Sequence, residues 1–145
     1  MQPDKSSNLR MASVFTYGSL MFPDVWQRVV LGDYQSSIGT IHGFRRVGVK
    51  GGEYPALIIW KDAPRLAGRV YFDVSDADIA RLDHFETTRY ARVSVAVTVN
   101  ESATVADAYL ALNHSELTDQ DWDPNAFERN GLERFLKTYV AQHAP

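Results

Sequence analysis

Asp83 and Glu86 stand three residues apart in "LDHFETTRY", a spacing that makes two carboxylates neighbours on a helix surface. Positioned carboxylates move protons, so the pair is a candidate for general acid–base work. Taken alone, the plainer reading is a solvated polar face. The context points towards chemistry: Phe85 should face inward, and Glu86 falls where the helix gives way to a strand carrying Tyr90 and Arg92. A second candidate is "VFTYGSL", where strand-forming Val14 to Tyr17 stop abruptly at Gly18 and Ser19.

Other groups offer less. Asp119, Asp121 and Asp123 have calcium-loop spacing, but Pro124 stands where the loop needs glycine and Asn130 where it needs glutamate. The segment therefore reads as an acidic loop leading into the last helix. The four histidines show no metal-ligand spacing, and there is no G-x-S-x-G elbow or phosphate-binding glycine loop. With no cysteine in 145 residues, disulfides, thiolate metal sites and a cysteine nucleophile are excluded. A net charge of −3 argues against a nucleic-acid partner, so Arg45, Arg46 and Lys50 read as a solvated strand edge.

The elements that must position these residues are short. A strand through Tyr17 precedes a helix opened by Pro23 and stopped near Gly32. Strand material broken by glycines spans "IGTIHGFRRVGV", and further strands are "PALIIW" and "LAGRVYFDV". A helix capped by Ser75 follows, with Asp78 in the place of the usual capping-box glutamate and Ile79, Leu82 and Phe85 as its apolar face. The next strand alternates, which puts Val93, Val95, Val97 and Val99 on one face, expected to be core. "ATVADAYLAL" is a last strand, and a terminal amphipathic helix carries Phe127, Leu132, Phe135, Leu136 and Tyr139, weakened at Gly131. Six or seven strands and three helices without strict alternation predict an α+β fold: a small mixed, mostly antiparallel β-barrel with flanking helices. Residues 1–10 are expected to form a flexible N-terminal tail and 11–145 a single domain. The first residues lack a signal-peptide core and no apolar run reaches membrane length, which predicts a soluble, cytoplasmic protein.

Six segments occur together in order: "YGSLMFPDVWQRVVLG", "IHGFRRVGVKGGEYPALI", "GRVYFDV", "LDHFETTRYARVSVAV", "DAYLAL" and "DWDPNAFERNGLERFLKTY". This set, from Met11 to Tyr139, resembles the gamma-glutamylcyclotransferase-like superfamily, specifically its AIG2-like branch. The resemblance implies a barrel with a pocket at one end. It also implies that the backbone of Tyr17, Gly18, Ser19 and Leu20 binds the α-amino-acid end of a γ-glutamyl substrate, with Glu86 as general acid/base. Tyr54, Tyr90, Arg92 and Tyr109 match positions in or behind the pocket wall. No metal and no organic cofactor are implied, and the partner is a small γ-glutamyl substrate rather than a nucleic acid or a membrane.

The residue types suit that reaction. Cyclisation to 5-oxoproline uses the substrate's own α-amine as nucleophile, so the enzyme needs neither serine nor cysteine. Glycine after a strand permits unusual backbone angles and close approach of a ligand, and converging amides bind a carboxylate. The reading from a different class is a non-catalytic domain that binds a small acidic metabolite or a protein partner in the same pocket.

Overall fold

The structure, a computed structural model, describes residues 12–143. The tail assigned to residues 1–10 lies outside the described residues. Five strands close a barrel: β1 (Ala12–Thr16), β2 (Ser36–Ile41), β5 (Leu66–Val74), β6 (Tyr90–Val99) and β7 (Ser102–Ala111), in the order β1-β5-β2-β6-β7. Neighbours are antiparallel except β1 and β7, which meet in parallel with Val14 opposite Asp107. β3 (Phe44–Val49), β4 (Pro55–Ile59) and β8 (Leu117–Asp121) form a second sheet in the order β4-β3-β8. The helices are α1 (Pro23–Val29), α2 (Asp76–Glu86), α3 (Pro124–Asn130), α4 (Leu132–Phe135) and α5 (Ala141–His143), with a π-helical turn Leu136–Val140 before the last.

Strand alternation divides the apolar side chains between two cores. All five barrel strands contribute to one cluster, with Phe15, Ile41, Val70, Val95, Val97 and Ala106 filling the interior and Leu57 of β4 joining them. Val14, Tyr71 and Val74 turn the other way and meet Val25, Trp26, Val29, Leu82, Phe85 and Phe135 from the helices. The Trp26 and Tyr71 rings stack with centroids 3.7 Å apart.

Three expectations need correction. The stretch read as an acidic loop contains β8, which pairs Asp121 with Val47 and Leu117 with Val49. That pairing makes β3 the central strand of its sheet, so Arg45 and Arg46 do not lie on a solvated edge. Arg45 Nε instead donates to Asp121 at 2.7 Å, matching an acid on one strand to a base on the next. Val93 is exposed although Val95 and Val97 are buried. β2 pairs with β6 at Thr98, near the end of the strand, so Val93 lies on the stretch that precedes the closed part of the barrel.

The Ser75 cap forms as the sequence indicates, its Oγ accepting from the Asp78 amide at 3.2 Å. Asp78 itself does something different from a capping-box acid. Buried to 2% exposure, it accepts hydrogen bonds from the amides of Leu31 and Gly32, the Tyr34 hydroxyl and Arg81. Burial alone would raise its pKa; the hydrogen bonds from Tyr34, Leu31, Gly32 and Arg81 outweigh it and hold the carboxyl below its usual value. The segment leaving α1 is thereby tied to the first turn of α2. These are the helices that follow the Gly18–Ser19 corner and precede the Glu86 turn.

Candidate functional site

The pocket takes one wall from the end of β1 and another from the end of α2. After Thr16 the chain turns through Tyr17 and Gly18 into a 3₁₀ turn, Ser19–Met21, then enters α1 at Pro23. Tyr17 anchors the corner twice. Its hydroxyl donates to the Tyr109 carbonyl at 2.6 Å, and its carbonyl accepts from Arg46 Nη1 at 2.9 Å. The amides of Ser19 and Leu20 open a helical turn and therefore have no acceptor within it.

Packing accounts for glycine at position 18: an added Cβ would lie 2.6 Å from Pro55 Cγ. Pro55 is buried and lines the pocket. Gly18→Ala should force the corner away from β4 and destabilise the protein by about 1–3 kcal/mol. A denaturant midpoint equal to that of the wild type would show that the corner yields freely.

On the opposite wall, Glu86 is the last residue of α2. Thr87 follows with φ 66° and ψ −170°, a conformation that costs a β-branched residue roughly 1–3 kcal/mol. The chain turns there through Thr87–Arg89 and enters β6 at Tyr90. Glu86 lines the pocket among Tyr17, Tyr54, Phe85, Tyr90, Tyr109 and Tyr139. Among the described residues its carboxyl has no hydrogen-bond or ion-pair partner. Burial, and secondarily the nearby charge of Asp83, push its pKa up to about 8.

The two carboxylates that the sequence pairs are thus set apart by their surroundings. Asp83 accepts from Arg92 Nε at 2.9 Å and from the Tyr109 hydroxyl at 2.7 Å, while Arg92 also reaches Asp107 at 2.8 Å. One carboxylate is tied into an ionic network, and the other faces an aromatic pocket.

The structure therefore brings Tyr17, Gly18, Ser19, Leu20 and Glu86 around one pocket, which encloses about 440 Å³ of empty space including its open mouth. Tyr54, Tyr90 and Tyr109 are in its wall. Arg92 is behind the wall, bound to Asp83. Sequence reasoning missed Arg46, Pro55 and Tyr139. Tyr139 had read as one more apolar residue of the terminal helix, and Arg46 as surface charge. No local signal separates them from that, because their roles depend on elements distant in sequence.

The pocket is polarised. The corner offers amide donors and the Ser19 hydroxyl, which suit an anion. The Tyr90 hydroxyl donates to the Pro55 carbonyl and that of Tyr109 to Asp83, so each presents oxygen lone pairs, as Glu86 does. These donors and acceptors line the same pocket, and together they suit a group that carries both a carboxylate and an ammonium. Among the described residues no group of three or more metal-ligating side chains occurs. Asp121 pairs with Arg45 and Asp123 caps α3, accepting from the Asn125 amide at 2.9 Å. No helix of the described residues is long and apolar enough to cross a membrane.

A pocket between a strand-end glycine corner and a helix-end glutamate, on a five-stranded barrel, defines the class of protein by its fold. Residues 14–124 match the family described as gamma-glutamyl cyclotransferase, AIG2-like, and the chain belongs to that family. It is 32% identical over 136 residues to AIG2-like protein D of Arabidopsis thaliana, covering 91% of this chain and 89% of the relative. A solution structure from Arabidopsis thaliana superposes with a TM-score of 0.68 at 25% identity, covering 92% of this chain and 82% of the other. A structure titled gamma-glutamyl cyclotransferase superposes with a TM-score of 0.63 over 94% and 89% of the two chains. Its 14% identity bears on the fold alone.

Proposed function

We propose that the protein is a γ-glutamyl cyclotransferase, converting a γ-glutamyl amide to 5-oxoproline and a free amine. The observation that carries this reading is Glu86, an unpartnered carboxyl with its pKa raised to about 8, sharing one pocket with the Tyr17–Leu20 corner. The corner amides and Ser19 hold the substrate's α-carboxylate. The acceptor side receives the α-ammonium beside Glu86. The Glu86 carboxylate takes a proton from that ammonium, and the freed amine attacks the γ-carbonyl. The new C–N bond closes the five-membered lactam, the proton held by Glu86 passes to the leaving nitrogen as the amide C–N bond breaks, and the second proton shed by the ring nitrogen leaves with the amine as its ammonium.

Holding the substrate curled so that amine meets carbonyl uses proximity, which supplies up to ~7–11 kcal/mol in favourable systems. Proton transfer by one positioned carboxyl contributes typically ~10²–10⁴-fold. A binding-only role for a small acidic metabolite would use the same pocket without turnover. The direct test is a panel of γ-glutamyl amides assayed for 5-oxoproline release. Absence of release from every member would sink the proposal.

The raised pKa makes a further expectation. Below pH 8 free Glu86 holds its proton while the substrate amine is also protonated, one proton too many for reaction. The ratio kcat/KM should therefore climb with pH and level off near 8. Asp83→Asn removes a like charge that raises Glu86, so this acid limb should move to lower pH. A limb that stays in place would remove Asp83 as a cause.

A further inference from the structure

The pocket is graded from a closed end to an open one. Tyr17, Gly18, Ser19 and Tyr109 are buried, whereas Tyr54, Glu86, Tyr90 and Tyr139 are partly exposed. A substrate with its amino-acid head at the corner and its γ-carbonyl near Glu86 must send its leaving group out past the exposed tyrosines. Arg89 stands there. Its Nη1 donates to the Tyr54 hydroxyl at 2.9 Å, and its charge bears on Tyr90 and Tyr139. Beyond it a shallow neighbouring recess is lined by Thr88, Arg89, Asn113 and Glu116 and shares the wall residue Tyr90.

Arg89 is incompletely satisfied. Its side chain is 55% exposed, and its carboxylate neighbour Glu116 is 3.9 Å away and equally open to solvent, a loose pair. A guanidinium has five N–H donors in a rigid fork that matches a carboxylate. The 3₁₀ turn Thr87–Arg89 begins directly after Glu86, so the position of this cation is set by the same backbone that sets the carboxyl of the reaction.

Resting on the cyclotransferase reading, we infer that Arg89 selects the leaving group: it binds a carboxylate carried next to the departing nitrogen, so γ-glutamyl α-amino acids are preferred over γ-glutamyl alkylamines. Glu116 tempers this preference by holding part of the cation's charge.

The test compares γ-glutamyl-alanine with γ-glutamyl-isopropylamide, in which a methyl group replaces the carboxylate. The wild-type ratio of kcat/KM, alanine over isopropylamide, should be about tenfold or more, the scale of a charge-assisted contact. In Arg89→Met the ratio should fall towards one. Arg89→Lys, which keeps the charge without the fork, should recover part of it. A wild-type ratio near one, or a ratio that survives in Arg89→Met, overturns the inference and leaves the cyclotransferase reading standing. Loss of both activities together at an unchanged ratio would mean that Arg89 merely steadies Tyr54, and also overturns it. No turnover of either amide by the wild type overturns this inference, and the cyclotransferase reading falls with it only if the wider panel of γ-glutamyl amides is inert as well.

Discussion

Glu86→Gln should lower 5-oxoproline release by at least ~10²-fold, the lower end of what a positioned acid/base contributes. Glutamine keeps the size of the side chain and removes the group that can take up and release a proton. The Tyr17–Leu20 corner is untouched, so a substrate analogue should still bind. The same variant should also be more stable than the wild type at neutral pH. The folded pKa of Glu86 is about 8, above the ordinary glutamate value of 4.5. Below pH 4.5 the carboxyl is protonated in both states and the two proteins should melt alike. As pH rises towards 8, the unfolded carboxyl ionises while the folded one keeps its proton, and the wild type loses stability that the glutamine variant retains. Thermal melting at several pH values reads this directly. A folded variant with wild-type turnover would take Glu86 out of the mechanism, whereas inactivity without the pH-dependent gain in stability would mean that burial does not hold its pKa up.

Val95→Asp should be the most damaging substitution for the fold. Val95 is 6% exposed and packs in the barrel interior with Phe15, Ile41, Val70 and Val97, a cluster without a cation. An aspartate there must desolvate its charge or remain protonated without satisfactory partners, for a loss on the order of 4 kcal/mol or more. Val93→Asp is the matched control on the same strand, two residues away but outside the closed part of the barrel. At an exposed site the change should stay within about 1 kcal/mol. Equal melting temperatures for Val95→Asp and the wild type would show that β6 faces the other way.

How far the site was legible follows from how each residue acts. The Ser75 cap, the α2 face of Ile79, Leu82 and Phe85, and the arrival of Glu86 at a helix end all depend on neighbours within a few positions. Local spacing therefore reveals them. Asp78 shows where such reading stops. It occupies a capping-box position, yet its hydrogen bonds go to Leu31, Gly32 and Tyr34, more than forty residues earlier. Arg45 and Arg46 read as surface charge because the strand that covers them, β8, carries acidic residues and looks like a loop. Its strand character comes from pairing with β3 rather than from its own propensity.

By itself, the sequence determined the periodic elements, the α+β class, the absence of cysteine chemistry and the two segments, Tyr17–Leu20 and Glu86, that line the pocket. These are properties of short windows, where side-chain type and backbone preference act together. Only the tertiary structure decided which carboxylate is free. Asp83 and Glu86 have the same chemistry and neighbouring positions on one helix, but Arg92 and Tyr109 from the adjoining strands bind the first and leave the second among aromatic rings. Packing likewise decided why Gly18 is glycine, since Pro55, far along the chain, occupies the space that a Cβ would need. Burial and charge proximity depend on the distance between strands, and that distance exists only once the barrel has closed.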